Sequence, residues 1–451
     1  MAVPAAVGGH RYNRRSTPGV VRASSSMADI TFGPFTIDFA ASRLLRGGTE
    51  LRMRPQAFYV LRTLAAHGGR VIDCDQLIRE AWDGTVVSRH TVHVTIAEVR
   101  RILTDCGSWI VHQPKGGYCL RIPKSDTLIR HGYHFLSLRS REGFERALEC
   151  FQEAAAEAPR DHRAFEGQAN CHLLMASFGT RPGREMLPAF LHAYERAVAL
   201  VGPSPELRCN HAHAIHMYER RLPEALAEFN CVLDENPSFT LVHVRKTLLL
   251  VTMGDLDAAL ESAKRAHDTD PLLPLSAAAE VNVRLWRREF EAAAKIGAQA
   301  IQLQPYFMLC RAYYGVALEF SGRLEQALEQ YQIGGVVTQG LPWMRALEGA
   351  CLVKLGRRSE ARAVLNELLA RRHTEYIDSY AIARLRHALG DVDAAFAELG
   401  RAIDESVGGL YAIRFDPLLD GFRADRRFTR LLKRYLTPVE RPAHQSASLT
   451  L

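Results

Sequence analysis

"GDLDAALESAKRAHDTDP", residues 254–271, reads as one helix with punctuation at both ends. Gly254 opens it, the small Ala259 sits near its start, and Pro271 closes it. The same layout returns along the chain. Ala225, Ala259, Ala293, Ala327, Ala361 and Ala395 lie 34 residues apart, and so do Pro203, Pro237, Pro271 and Pro305. Gly254, Gly322, Gly356 and Gly390 each precede their alanine by five positions. A small residue at a fixed place lets two helices approach closely. Glycine lets the chain turn between them, and proline ends the second helix. The unit is a helical hairpin that buries its apolar face only against its neighbours, which makes a solenoid.

Six full units span 206–239, 240–273, 274–307, 308–341, 342–375 and 376–409. Upstream, "GFERALECFQEAAAEAP" (143–159) repeats the motif with Ala147 and Pro159. The unit between, 162–205, is longer, and its "FGTRPGREMLP" (178–188) reads as an insertion in the inter-helix loop. This pattern resembles the tetratricopeptide (TPR) repeat. The resemblance implies an all-α solenoid of about eight units over 127–409, with a concave face for a protein or peptide partner. In residues 410–436, Phe428, Leu431, Leu432 and Tyr435 form one apolar stripe suited to a capping segment. Residues 437–451 read as a disordered tail.

Residues 28–123 have a different texture. "ITFGPFTIDFAASRLLRGGTELRM" alternates like short strands broken at Gly33-Pro34 and Gly47-Gly48. "RPQAFYVLRTLAAHGG" is a helix with Pro55 at its start and Phe58, Leu61 and Leu64 on one face. "DCDQLIREAWDG" supplies a second helix. In "SRHTVHVTIAEVRRIL" (88–103), Val92, Ile96, Val99 and Leu103 recur at the spacing of a helical face, with long donors between them. "WIVHQPKGGYCLRIP" closes the module as a hairpin. Strands, three helices and a hairpin are the order of a winged helix.

These residues resemble the OmpR/PhoB-type DNA-binding domain of bacterial response regulators, an α+β winged helix-turn-helix. By that resemblance the third helix lies in the major groove. Arg89, His90, Thr91, His93, Thr95, Arg100 and Arg101 are its DNA-facing candidates. Lys115 is expected on the wing, and Trp82 and Tyr118 match positions that hold phosphates in the family. Two departures stand out. Glu98 replaces a frequent arginine and would repel phosphate, and Pro114 precedes Lys115 where an arginine is common. Members of the family often carry a receiver ahead of this domain. At most 29 residues precede the first strand here, so control is expected to come from the repeats, expression level or a partner.

Bulk properties fit this reading. The chain has 451 residues, 47% hydrophobic and 24% charged, with a net charge of +7. That tilts weakly toward an acidic partner. Over 28–123 the excess is only +3, from 12 Arg and Lys against 9 Asp and Glu. The nine cysteines contain no C-x-x-C pair, which argues against a disulfide framework or zinc ribbon and fits a reducing cytoplasm. No run is long and apolar enough to span a membrane. Residues 1–27 read as a disordered basic arm, or as a tail that is not made if translation starts at Met27. His211, His213 and His216 sit close together, but without a carboxylate partner or an H-E-x-x-H motif they read as ordinary surface histidines of a repeat. No metal, cofactor or enzyme signature is seen. The expected function is a sequence-specific transcriptional regulator. Its winged helix reads double-stranded promoter DNA, and its repeats bind a partner, with homodimerisation through them as a further option. The alternative is a TPR adaptor whose winged helix is a protein-interaction or nonspecific DNA-binding module.

Overall fold

The computed structural model describes residues 29–439 except Lys115. The basic arm at 1–27, the tail from 440 onward and the wing lysine lie outside the described residues. The chain divides after Pro123 into two compact units.

The first unit opens with a four-stranded antiparallel sheet in sequence order, β1 (Ile30–Phe32), β2 (Phe35–Asp38), β3 (Arg43–Arg46) and β4 (Thr49–Leu51). Helices α1 (Pro55–Ala66), α2 (Cys74–Ala81) and α3 (Arg89–Ile102) follow, then the hairpin of β5 (Ile110–Gln113) and β6 (Gly117–Leu120). Each helix starts where its sequence allows. Pro55 occupies the first turn of α1. Asp73 caps α2 by accepting from the Gln76 amide at 2.7 Å, and Ser88 caps α3 by accepting from the Thr91 amide at 3.2 Å. Phe32, Phe35, Leu61, Val92, Val99 and Leu120 share one core. The hairpin is tied to the residues before α2 by paired amide–carbonyl bonds between Ile72 and Tyr118. Gly117, at φ +110°, permits this: a Cβ there would lie 2.0 Å from the Ile72 carbonyl oxygen.

The second unit is helical. Among the described residues, sixteen α-helices, α4 through α19, run from Lys124 to Glu405 and pair as eight hairpins. The alanines that set the period, from Ala225 to Ala395, are all fully buried. Gly254, Gly322, Gly356 and Gly390 have φ between +78° and +99°, the left-handed turn between the helices of a hairpin. Asp255 caps its helix through the Ala258 amide at 2.9 Å, whereas Asp391 makes no cap and pairs with Arg362 at 2.6 Å instead.

Three local expectations are corrected. The extra length at 162–205 is a loop insertion only in part: residues 178–182 connect α6 (His162–Ser177) to α7 (Gly183–Val201), longer than the 254–255 connection, and most of the addition lengthens α7. His213 and His216 are not surface residues but are 6% and 0% exposed: His213 lies in α8 (Pro205–Ala214), and His216 in the π-helical turn at Ile215–Glu219 that follows it. His216 Nε2 bonds to Thr252 Oγ1 at 2.8 Å. Finally, the segment at 410–436 is more than a cap: Leu410, Ile413, Leu419, Phe422, Phe428 and Tyr435 share a core with α19 (Val392–Glu405), which α20 (Arg426–Leu436) closes. Residues 408–412 also run along the inner surface. There the Tyr411 hydroxyl donates to Asn282 Oδ1 at 2.8 Å, and its carbonyl accepts from Thr252 Oγ1 at 3.1 Å.

The first and last hairpins meet. Arg141 donates to the Thr180 carbonyl at 3.0 Å and the Tyr376 carbonyl at 2.9 Å. At the other seam the Val439 amide donates to the Glu219 carbonyl at 2.8 Å. The superhelix therefore closes on itself about its inner surface, which carries a cavity.

Candidate nucleic-acid interface

Helix α3 has two faces. Val92, Thr95, Ile96 and Val99 are buried. His90, His93, Val94, Ala97 and Arg101 are exposed and share one side of the helix, a single continuous stripe. Val94, 49% exposed, is an apolar side chain set among donors, the kind of group that meets a thymine methyl.

The structure sorts the candidates into three groups. Arg89, His90, His93 and Arg101 are exposed. Arg89 makes a solvent-exposed pair with Asp75 at 2.9 Å, and the carboxylate raises the guanidinium pKa. Such a pair contributes little and can be exchanged for a phosphate. Thr91 is half-buried and its hydroxyl sits 3.1 Å from that of Ser88, within the cap. Trp82 is half-buried at the end of α2, packed on the core.

Thr95, Arg100 and Tyr118 turn inward, against the expectation that they face DNA. Thr95 is 4% exposed and its hydroxyl donates to the Thr91 carbonyl at 2.9 Å. It stands three residues after Val92 and four before Val99, which places it on the apolar stripe. Arg100 is half-buried and donates through Nε (3.2 Å) and Nη2 (2.6 Å) to the Ile110 carbonyl, so it fastens the wing to α3. Tyr118 is 4% exposed; burial raises its hydroxyl pKa, and that hydroxyl is hydrogen-bonded to His93 Nδ1.

Two neighbours join the site that the sequence reading did not include. His112 on β5 packs its ring 4.9 Å from Tyr118 and 6.3 Å from His93, so helix and wing meet through three rings. Arg54, just before α1, reaches Glu98 with Nε 2.9 Å and 2.8 Å from its two carboxylate oxygens. This contact holds the Glu98 carboxyl below its usual range. The carboxylate that would repel phosphate is thus matched by a guanidinium that is itself 66% exposed. The signal in the sequence is an arginine at the mouth of α1, but only the fold brings it across to α3.

Comparison with known proteins bears on both units. Residues 48–120 match the family model "Transcriptional regulatory protein, C terminal". The transcriptional activator CadC of Escherichia coli K12 is 30% identical over 98 residues, 21% of this chain and 19% of CadC. The chain thus spans about a fifth of that relative's length. The solved DNA-binding domain of E. coli CadC aligns with 30% identity over 21% of this chain and 91% of its own, with a TM-score of 0.19. The TPR protein TTC0263 of Thermus thermophilus aligns over 40% of this chain and 98% of its own, at 23% identity and TM-score 0.33. Human IFIT1, solved as a dimer with PPP-AAAA, aligns over 75% of this chain and 80% of its own, at 15% identity and TM-score 0.50, a likeness of fold. Among the described residues no helix is long and apolar enough to cross a membrane, and no cluster of His, Cys, Asp and Glu could hold a metal ion. Residues 48–120 are an OmpR/PhoB-type DNA-binding domain of the transcriptional regulatory protein C-terminal family, and they are followed by a TPR-like helical solenoid.

Proposed function

We propose that this protein is a cytoplasmic transcriptional regulator that reads promoter DNA with α3 and takes its input through the helical unit. The observation that carries the reading is the exposed stripe of α3, with its donors and one apolar group on a helix fastened to a wing. A helix with one face free fits the major groove. His90, His93, Val94 and Arg101 are the base-facing set. Arg89, Lys115 and Trp82 are the phosphate-facing set, which positions the helix without specifying sequence. The Arg54–Glu98 contact removes the main electrostatic objection to this reading, and so weakens the adaptor alternative.

The test is fluorescence anisotropy of the full chain on the DNA upstream of its own gene and on a scrambled duplex, at low and moderate salt. Specific binding is expected to exceed scrambled binding by roughly tenfold or more and to fall steeply with salt. Arg101→Ala and His90→Ala are each expected to cost about tenfold on the native duplex, the scale of one base contact, without lowering thermal stability. Arg100→Ala is expected to lose affinity together with hydrogen-exchange protection of β5 and β6, because it unfastens the wing. Equal affinity for both duplexes would make the module a nonspecific clamp. No binding to either would leave the adaptor.

A further inference from the structure

The inner surface of the helical unit lines a cavity of about 560 Å3. Pockets for small molecules typically measure about 300–1,000 Å3. Most of its wall is apolar: Leu248, Leu285, Val316 and Leu347 contribute, with Trp286 and Trp343 as flat surfaces. Val407, Gly408, Gly409 and Tyr411 close one side of it.

One part of the wall carries charge that the chain leaves unbalanced. Arg245 is 7% exposed, and its Nη1 donates to Asn210 Oδ1 at 2.5 Å and Cys209 Sγ at 3.2 Å, both uncharged partners. Arg139 is half-buried, with its guanidinium 5.5 Å from the centre of the Phe178 ring. Burial, with the nearby charge of Arg245, pushes its pKa down to about 10. Among the described residues neither guanidinium forms an ion pair with a carboxylate, although such pairs abound elsewhere in this unit. His213, 6% exposed, also lines the cavity, and among the described residues its Nδ1 has no hydrogen-bond partner. Burial and Arg245 depress its pKa, so it stands neutral beside the two cations. The two carboxylates in the wall are engaged at α18 (Ser379–Ala388). Asp378 accepts from the Tyr380 amide at 2.7 Å, and Asp416 accepts from the Tyr380 hydroxyl at 2.5 Å with Arg384 at 3.6 Å.

Buried cations without counter-charge are costly, and an anion that supplies the charge and the missing hydrogen bonds recovers that cost. We propose that the cavity binds a small organic anion, an apolar body carrying one carboxylate-like head that is taken by Arg139 and Arg245 with His213 Nδ1 beside it. The mostly apolar lining suits a single charge, not a polyphosphate. The volume suits a small molecule. The proposal deepens the reading of the helical unit as the input half, but its binding is scored on DNA-free protein.

The experiment is isothermal titration of the full chain with decanoate and 2-naphthoate, against decanamide and decylamine. At least one of the two carboxylates is expected to bind with one-to-one stoichiometry, and decanamide and decylamine roughly tenfold or more weakly. Arg139→Gln and Arg245→Gln are each expected to weaken the carboxylate about tenfold while leaving decanamide unchanged. Leu248→Trp, which fills the cavity, is expected to abolish both. Thermal melts check folding, and if Arg245→Gln does not fold, Arg139→Gln decides alone, since it leaves the bonds to Asn210 and Cys209 in place. Absence of binding by both carboxylates, equal binding of acid, amide and amine, or carboxylate affinity untouched by the Arg139 change would each overturn the proposal. None of these outcomes bears on DNA reading, which the anisotropy measurement tests separately.

Discussion

Glu98 shows how a single side chain changes meaning between sequence and fold. Along the chain it is a carboxylate on the helix proposed to read DNA, near Arg101. In the structure Arg54 covers it. Arg54→Ala is therefore expected to weaken DNA binding by more than one lost phosphate contact, because it also bares a negative charge. Glu98→Gln in the same chain should restore most of that loss, which a double-mutant cycle by anisotropy would measure. The pair also sets a pH dependence. The folded-state pKa of Glu98 is lowered by Arg54, so its stabilising effect is present above the ordinary carboxylate value and is lost as pH falls through the lower folded one. Glu98→Gln is expected to flatten that acid limb. Which residues face DNA is only half legible in the sequence. The apolar spacing of α3 marks its buried face, and Thr95 falls within it, so its position outweighs what its hydroxyl suggests. Arg100 and Arg101 are indistinguishable by type. What separates them is the reach of one guanidinium to the Ile110 carbonyl, a contact made by the wing.

At the scale of elements, the period is legible because it is enforced by close approach, which tolerates few residues. Alanines and glycines mark where helices touch. Gly167 in α6 illustrates this: a Cβ there would lie 2.2 Å from Phe151 Cδ1, and Phe151 is fully buried. Helix propensity alone favours Gly167→Ala by about 1 kcal/mol. The clash is expected to win, with a net destabilisation of about 1–3 kcal/mol, the usual cost of overpacking. Urea unfolding of the full chain measures it, and a stabilised variant would mean that the Phe151 ring moves aside freely. The elements that escape the sequence reading are those that break the period. The π-turn at Ile215–Glu219 adds no marker residue, and "NHAHAIHMYE" looks polar although two of its histidines are buried. Residues 408–422 pack on the last hairpin as their composition suggests, but that Tyr411 also reaches Thr252 and Asn282 is visible only in the fold.

The whole helical unit depends on that closure, and Asp378 sits at the seam. It caps α18 through the Tyr380 and Ala381 amides, and a Cβ on Gly179 would lie 3.3 Å from its Oδ2, so it touches the loop of the second hairpin from the eighth. Burial pushes its carboxyl pKa up to about 6, against the opposing pull of Arg384 and the two amides, with Glu405 adding a smaller upward push. The folded protein therefore holds a proton that the unfolded chain gives up near the ordinary aspartate value, about pH 4. Between those values the folded state binds more protons than the unfolded one, so the contribution of this group to stability falls as pH rises from about 4 to about 6. The full span is on the order of 3 kcal/mol, at about 1.4 kcal/mol per pH unit. Asp378→Asn keeps an oxygen to accept from the amides but carries no charge at any pH. It is expected to raise the unfolding midpoint at neutral pH and to remove the decline between about pH 4 and about pH 6, and calorimetric scans of both proteins across that range would show it. The same substitution leaves Arg384 only Asp416 as a neighbouring carboxylate in the cavity wall. If Asp378→Asn instead lowers the midpoint at neutral pH, the ionised carboxylate is worth more to the fold, through Arg384 and the two amides, than its burial costs.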